Sequence, residues 1–409
     1  MKQKKYIRVP YGLSVHGEEE INAVVKVLRG NTALGKRTRE FEKKIADLFG
    51  KKYGVMVNSG SSANLLAFDL LNLPKGAEVI TPMLTFATTV SPIIMRGLTP
   101  VFVDVEEGTY VANVAQVERA ITKRTRALMI PSLIGNVPNL KQLAAIAKKH
   151  NLFLVEDSCD TLGASFQGKP TGTYSHISTT SFYGSHIING AGGGGMILVN
   201  NPEWAERLVV LRGWGRSSSL YGEKDASEDV KKRFRVTLAG IPYDAKFIFS
   251  EMGYNFLPLE ISSAFALEQL KKLPKFSLSR DKNFTRLAQF FKKYEEFFIL
   301  PRLTPGAKTN WLAFALTIRE GAPFSRREIC RFLEERNIQT RPVFTGHILR
   351  QPAFEKVKAK TPFKNYSATD HVMAHAFLIG CHQGLHEMQL EHVENSFLEF
   401  FSQFAGKRA

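Results

Sequence analysis

Between residues 51 and 200, short β-branched or apolar runs alternate with amphipathic stretches, and this alternation limits the possible fold more than any other feature of the chain. Residues 55–57, 79–81, 101–105, 127–132, 153–156, 179–182 and 195–199 read as strands. Strands separated by helices argue a parallel α/β sheet. In the stretch 62–73, Ala63, Leu66, Ala67 and Leu70 share one helical face, and in 140–150 Leu140, Leu143, Ala144 and Ala147 do the same. Such helices cover the sheet. The fold class expected is therefore α/β, with a mostly parallel central sheet flanked by helices.

A polar, charged segment at 217–232 interrupts the pattern, and a long helical stretch then begins near Pro258 and runs through Leu267, Leu270 and Leu273. From Pro274 onward the pattern reads helix, strand (311–318), helix (325–336), strand (340–344) and a Phe-rich helix (388–404). This divides the 409 residues into an N-terminal segment with a large domain, 1–273, and a smaller α+β domain, 274–409. No run approaches the roughly 18 apolar residues of a membrane span, and no apolar leader follows the basic start, so a cytoplasmic protein without membrane insertion is expected. Fifty-five Lys and Arg against 38 Asp and Glu leave a net charge of +17, a field that draws anions. The basic residues are spread out, with no zinc-finger spacing and no RNA-binding aromatic strand, so no nucleic-acid partner is expected. Cys159, Cys330 and Cys381 fit neither a disulfide framework nor a metal spacing. Reduced thiols and no bound metal are expected.

Three local patterns carry chemistry. In Val57-Asn58-Ser59-Gly60-Ser61-Ser62-Ala63-Asn64 a strand passes a Gly-Ser-Ser turn into a helix, so unpaired N–H groups and hydroxyls converge where an anion can bind. A serine that merely caps the helix would give the same pattern. Asp157 stands at the carboxyl end of the 153–156 strand, where open α/β sheets hold ligands. A buried carboxylate there can fix a proton on a heterocyclic nitrogen, although a helix cap or a loop ion pair is the commoner fate of such an aspartate. Third, Ser181-Phe182-Tyr183-Gly184-Ser185-His186-Ile187-Ile188-Asn189 precedes a glycine run, Gly190 to Gly195 broken only by Ala191.

In this order, the three patterns resemble the DegT/DnrJ/StrS family of pyridoxal-phosphate enzymes that act on nucleotide-linked sugars. The likeness spans about residues 10–400 and includes Phe86-Ala87-Thr88-Thr89, Gly253-Tyr254-Asn255, Arg341 and Arg350-Gln351-Pro352. It implies an aspartate-aminotransferase-like fold and a homodimer with sites at the subunit interface. It also implies that Gly60, Ser61 and Ser181 hold the cofactor phosphate, that Asn255 reaches the phosphate from a neighbouring subunit, and that Phe86 stacks on the pyridine ring. Asp157 would pair with the ring nitrogen and Asp160 would lie near the ring hydroxyl. Arg341 and Arg350, with Glu18, are candidates for substrate contacts.

His186 occupies the position at which most of the family has the lysine that bonds to the cofactor aldehyde. Imidazole forms no stable imine, so pyridoxal 5'-phosphate or its pyridoxamine form would be held non-covalently, and an unperturbed pKa of about 6.5 suits a base. The branch with this change resembles nucleotide-sugar 3-dehydrases, in which His186 would be the catalytic base that removes the C4′ proton. Local sequence is most similar to the version acting on CDP-4-keto-6-deoxyglucose, which carries an iron–sulfur cluster. Such a cluster needs four thiolates, and the chain has three cysteines, none between 216 and 233. The expectation is therefore the cluster-free version, similar to the enzyme of the colitose pathway, with glutamate as amino donor and a nucleotide-diphospho-4-keto-6-deoxy sugar as substrate in lipopolysaccharide O-antigen synthesis. Gly192, Leu257, Ile187 and Asp370-His371 depart from the family pattern. An amination enzyme lacking the lysine, or a non-catalytic binding protein of the same fold, are the alternatives.

Overall fold

The computed structural model describes residues 6–221 and 230–404. The middle of the proposed 217–232 segment lies outside them. Seven strands form the main sheet: β1 (Tyr53–Val57), β2 (Glu78–Pro82), β3 (Thr99–Val103), β4 (Thr125–Pro131), β5 (Phe153–Asp157), β8 (Ile177–Ser181) and β9 (Gly195–Val199), with β6 (Ser165–Phe166) and β7 (Lys169–Pro170) forming a short hairpin between β5 and β8. Their ends lie within two residues of those read from the sequence. The order across the sheet is β1-β9-β8-β5-β4-β2-β3, and β9 alone runs antiparallel to both its neighbours. All other pairs are parallel, so the carboxyl ends of β8, β5, β4, β2 and β3 lie on one edge.

β2, β8 and β9 are buried along their whole length, which is why they read as unbroken apolar or small-residue runs rather than alternating ones. The helices before the long connector are α1 (Glu18–Leu28), α2 (Lys36–Phe49), α3 (Gly60–Leu71), α4 (Ala87–Met95), α5 (Val114–Arg119), α6 (Leu140–Lys149), α7 (Pro202–Arg212) and α8 (Val230–Arg233). α3 lies in the middle of the large core: Ala63, Leu66, Ala67 and Phe68 pack with Val55, Val79, Met129, Val155 and Ile197. A hairpin of β10 (Val236–Leu238) and β11 (Ile241–Tyr243) follows α8.

The helical stretch near Pro258 is one continuous helix, α9 (Glu260–Phe291), so the boundary expected at 273/274 falls inside it. Pro274 lacks the N–H that would bond one turn back and normally bends or ends a helix. Here packing at both ends outweighs that local penalty. Leu267, Leu273 and Phe276 are buried with Phe41, Phe182 and Met196, whereas Leu287 and Phe291 are buried in the core of the C-terminal sheet. That sheet runs β12 (Phe298–Ile299), β14 (Phe314–Ile318), β16 (Ala376–Ile379), β15 (Arg341–Pro342), and β13 (Ala307–Lys308) pairs instead with β6. Helices α10 (Arg326–Glu335), α11 (Ser367–His375) and α12 (Glu387–Ser402) complete it. β14 starts at Phe314 rather than 311 because the Leu312 N–H bonds to the Ile134 carbonyl, and β15 is cut to two residues by Phe344, whose φ is 46°. Among the described residues no helix is long and apolar enough to cross a membrane.

Candidate active site

The site is built where three strand ends meet one helix start. Ser59 caps α3, accepting from the Ser62 N–H at 3.1 Å, and the Ser62 hydroxyl donates to Asn58 Oδ1 at 2.7 Å. The cap therefore exists, but it does not account for the rest of the turn. The first N–H groups of α3, at Gly60 and Ser61, have no partner within the helix. A Cβ placed on Gly60 would lie 2.8 Å from Ser181 Cβ and 2.7 Å from Cys159 Sγ, so the turn is pressed against the end of β8. Ser61 donates to Thr88 Oγ1 at 2.9 Å. The glycine run has a steric origin at its last member: a Cβ on Gly195 would lie 2.2 Å from the Ser59 carbonyl and 2.4 Å from the Gly60 nitrogen. β9 can approach the anion turn this closely only without a side chain.

Asp157 ends β5 and is buried. Its Oδ2 accepts from Asn64 Nδ2 at 2.9 Å and from Thr89 Oγ1 at 2.8 Å, and its Oδ1 accepts from the Cys159 N–H at 3.2 Å. Asn64 is itself fixed by Thr179, which donates to Asn64 Oδ1 at 2.6 Å. Among the described residues Asp157 neither caps a helix nor pairs with a cation, so the two commoner fates of such an aspartate do not apply. Asn64, Thr89 and Thr179 were not singled out from the sequence. The available signal was that Asn64 stands four residues after Gly60, on the inward face of a helix whose neighbours are apolar.

His186 is half-buried, its Nδ1 3.3 Å from the Ser181 carbonyl and its ring edge-on to Tyr183 at 5.9 Å. Burial pushes the imidazole down to about 4; the Ser181 carbonyl opposes this, the Arg280 guanidinium adds to it, and Asp157 opposes it. The ring is neutral near pH 7 and close enough to Asp157 to feel its charge. Asp160 accepts from the Ile134 N–H at 2.9 Å, and burial pushes it up to about 7 against that bond, with Asp157 adding to the rise. Phe86 is the residue before α4 and is 52% exposed, touching Phe344 edge-on at 5.9 Å and leaving most of its ring open beside Thr88 and Thr89.

Gly60, Ser61, Asp157, Ser181 and His186 thus come together, with Phe86 and Asp160 at the margin. Asn255 does not join them within one chain. Its side chain is exposed and, among the described residues, makes no hydrogen bond to Gly60, Ser61 or Ser181, although the next residue straps its loop to the turn through a 3.0 Å bond from the Asn58 N–H to the Phe256 carbonyl. Arg350 is paired with Asp370 at 2.7 Å, and Arg341 donates to the Thr340 carbonyl beside the Tyr11 ring. Glu18 is exposed in the first turn of α1. Of the departures from the family pattern, Ile187 is a core residue, and Gly192 has φ 103° with open space where a side chain would be.

Pyridoxal phosphate requires a phosphate cradle, an acceptor at its ring nitrogen and an apolar face. The α3 start with Ser181, the braced Asp157 and the open ring of Phe86 fit those needs, with the half-buried His186 beside them. Fold and site define a pyridoxal-phosphate-dependent enzyme.

A model of the DegT/DnrJ/EryC1/StrS aminotransferase family matches residues 14–398. The chain is 39% identical over 401 residues to dTDP-4-dehydro-2,6-dideoxy-D-glucose 3-dehydratase of Saccharopolyspora spinosa, covering 96% of this chain and 86% of that one. It is 37% identical over 404 residues to lipopolysaccharide biosynthesis protein RfbH of Salmonella typhimurium, covering 96% and 92%. A solved GDP-4-keto-6-deoxymannose-3-dehydratase with a trapped PLP-glutamate geminal diamine superposes with a TM-score of 0.82 at 28% identity, covering 95% and 100%. The chain belongs to the DegT/DnrJ/EryC1/StrS family and, within it, to the pyridoxal-phosphate-dependent 3-dehydratases.

Proposed function

We propose that this protein removes the 3-hydroxyl of a nucleotide-diphospho-4-keto-6-deoxy sugar for surface polysaccharide synthesis, taking its electrons from glutamate and using no iron–sulfur cluster. The observation that carries the reading is a half-buried His186 whose Nδ1 lies 3.3 Å from the Ser181 carbonyl, at the position that the family resemblance gives to the lysine. When bound, the cofactor in its amino form would supply the nitrogen that joins the sugar ketone and the ring that stores the electrons. The chain supplies the rest. Gly60, Ser61 and Ser181 bind phosphate, and Asp157, kept in one orientation by Asn64 and Thr89, holds a proton on the ring nitrogen. His186 takes the proton from the C4′ carbon as the C3–oxygen bond breaks. Overall, glutamate becomes 2-oxoglutarate and ammonia is released, while the C3 carbinol is reduced to a methylene, so two electrons and one oxygen atom balance.

The cluster-free, glutamate-driven version has two supports. The solved relative was trapped with glutamate on its cofactor. In this chain Cys159 lies beside Gly60, Cys330 is on α10, and Cys381 is buried in the C-terminal core. For the homodimer, support comes from the segment after α8, where Phe234, Ile241, Phe249 and Met252 are all exposed, Met252 to 97%, three residues before Asn255. An apolar face of this kind fits a second copy, whose turn Asn255 would then reach.

The test is mass analysis of products from a panel of 4-keto-6-deoxy nucleotide sugars with pyridoxal phosphate and glutamate, for the wild type and His186→Asn, together with iron and sulfide assay of the purified protein. A 3-deoxy ketone with ammonia release, lost in the variant, is expected. An amino sugar that keeps its 3-oxygen, or stoichiometric iron and sulfide, would refute the reading.

A further inference from the structure

Arg280 sits in the middle of α9 and is fully shut from solvent. Its Nε donates to Gln383 Oε1 at 2.7 Å, and its Nη1 donates to the Trp311 and Leu312 carbonyls at 2.7 and 3.2 Å. Nη2 is buried without a hydrogen-bond partner, and among the described residues no carboxylate lies within ion-pair distance of the guanidinium. A buried cation left this way is costly. Gln383 passes the contact on, donating through Nε2 to the carbonyl of Ile187, the residue after His186, at 3.2 Å. On the other side, the Leu312 N–H bonds to Ile134, whose own N–H bonds to Asp160.

We propose that Arg280 is a positioning residue for the reaction: through Gln383 it fixes the loop that carries His186, and it sets an uncompensated positive charge near that imidazole. The inference rests on His186 acting as the base. The groups that face the imidazole are Asp157 from β5, the Ser181 carbonyl from β8, Tyr183 from its own loop and Arg280 from α9. Asp157 favours the protonated ring and Arg280 opposes it. Of the other groups within reach of the Arg280 charge, Tyr11 and Cys381 are held protonated by burial and His382 is held neutral by it, so none of the three cancels the charge. Because the guanidinium is shut from solvent, it acts through Gln383 and through its charge on the imidazole.

The test is an NMR pH titration of ¹⁵N-histidine-labelled, cofactor-free protein, with His186→Asn to assign the resonance, combined with steady-state kinetics of the loaded enzyme. In the wild type the His186 signal should remain that of neutral imidazole down to about pH 5. Arg280→Met should raise its midpoint by about one pH unit or more, while Arg280→Lys, which keeps the charge, should leave it low. Gln383→Met, at a half-buried position, should cut kcat by roughly tenfold with KM for the keto sugar unchanged. An unshifted His186 midpoint in Arg280→Met, or undiminished kcat in Gln383→Met, overturns the proposal. If Arg280→Met does not fold, the Gln383 variant decides alone. Failure of the function itself would look different: wild-type protein without 3-deoxy product, or His186→Asn with full turnover.

Discussion

At the scale of single residues, the pocket holds two groups displaced in opposite senses over the same pH range. Burial takes His186 from 6.5 down to about 4, so between those values the unfolded chain binds a proton that the folded one refuses, and stability is lost as pH falls through the window. Asp160, moved by burial from 3.8 up to about 7, keeps a proton in the folded state that the unfolded chain has given up, so its contribution fades as pH rises through nearly the same window. The two slopes oppose one another in the cofactor-free protein. Asp160→Asn removes one of them, and its urea midpoint should drop more between pH 7 and pH 4.5 than that of the wild type; equal drops would show that Asp160 is ionised in the fold. A second expectation concerns attachment. After borohydride treatment and denaturation the wild type should release all its pyridoxal phosphate, whereas His186→Lys should retain cofactor mass on a peptide containing residue 186, as read by mass spectrometry. Retention in the wild type would overturn the non-covalent reading.

At the scale of elements, the approach of β9 to the start of α3 is the contact on which the phosphate cradle depends. Gly195→Ala would force a methyl group to within 2.4 Å of the Gly60 nitrogen, so the turn must move. The variant should lose about 1–3 kcal/mol of stability in denaturant titrations and bind pyridoxal phosphate roughly tenfold more weakly by fluorescence. Wild-type affinity would mean that the turn does not hold the phosphate. The strands of this region were legible because they are short, fully buried and bounded by glycine or polar turns. The reversal of β9 was not, since an apolar strand carries no mark of its direction. Pro274 misled in the other direction: its local preference ends a helix, but α9 is anchored by Leu273 and Phe276 in one core and by Leu287 and Phe291 in the other, and that burial prevails.

At the scale of the whole molecule, α9 joins two cores, and in the segment from 230 to 259 Phe234, Ile241, Phe249 and Met252 are exposed while Tyr254 and Phe256 pack on the large core. If that face receives a second copy, Phe249→Asp combined with Met252→Asp should shift the protein from dimer to monomer in sedimentation velocity and weaken cofactor binding, because Asn255 would lose its reach. A monomeric wild type with full cofactor affinity would refute both the interface and the role given to Asn255. The chain's charge of +17 fits a substrate carrying a diphosphate, and raised ionic strength should raise KM for the nucleotide sugar more than for glutamate.

Features that depend on neighbours along the chain could be read from the amino acids directly: the buried strands, the capped turn at Ser59–Gly60, the strand-end position of Asp157, and an imidazole where an amine was expected. These are local because backbone propensity, burial pattern and side-chain chemistry act within a few residues. Tertiary structure alone decided which groups serve those residues. Thr179 fixes Asn64, Asn64 and Thr89 hold Asp157, and Arg280 reaches Ile187 through Gln383, across 103 positions between arginine and glutamine alone. Hydrogen bonds and charges act over a few ångströms of space, and only packing brings such distant positions that close.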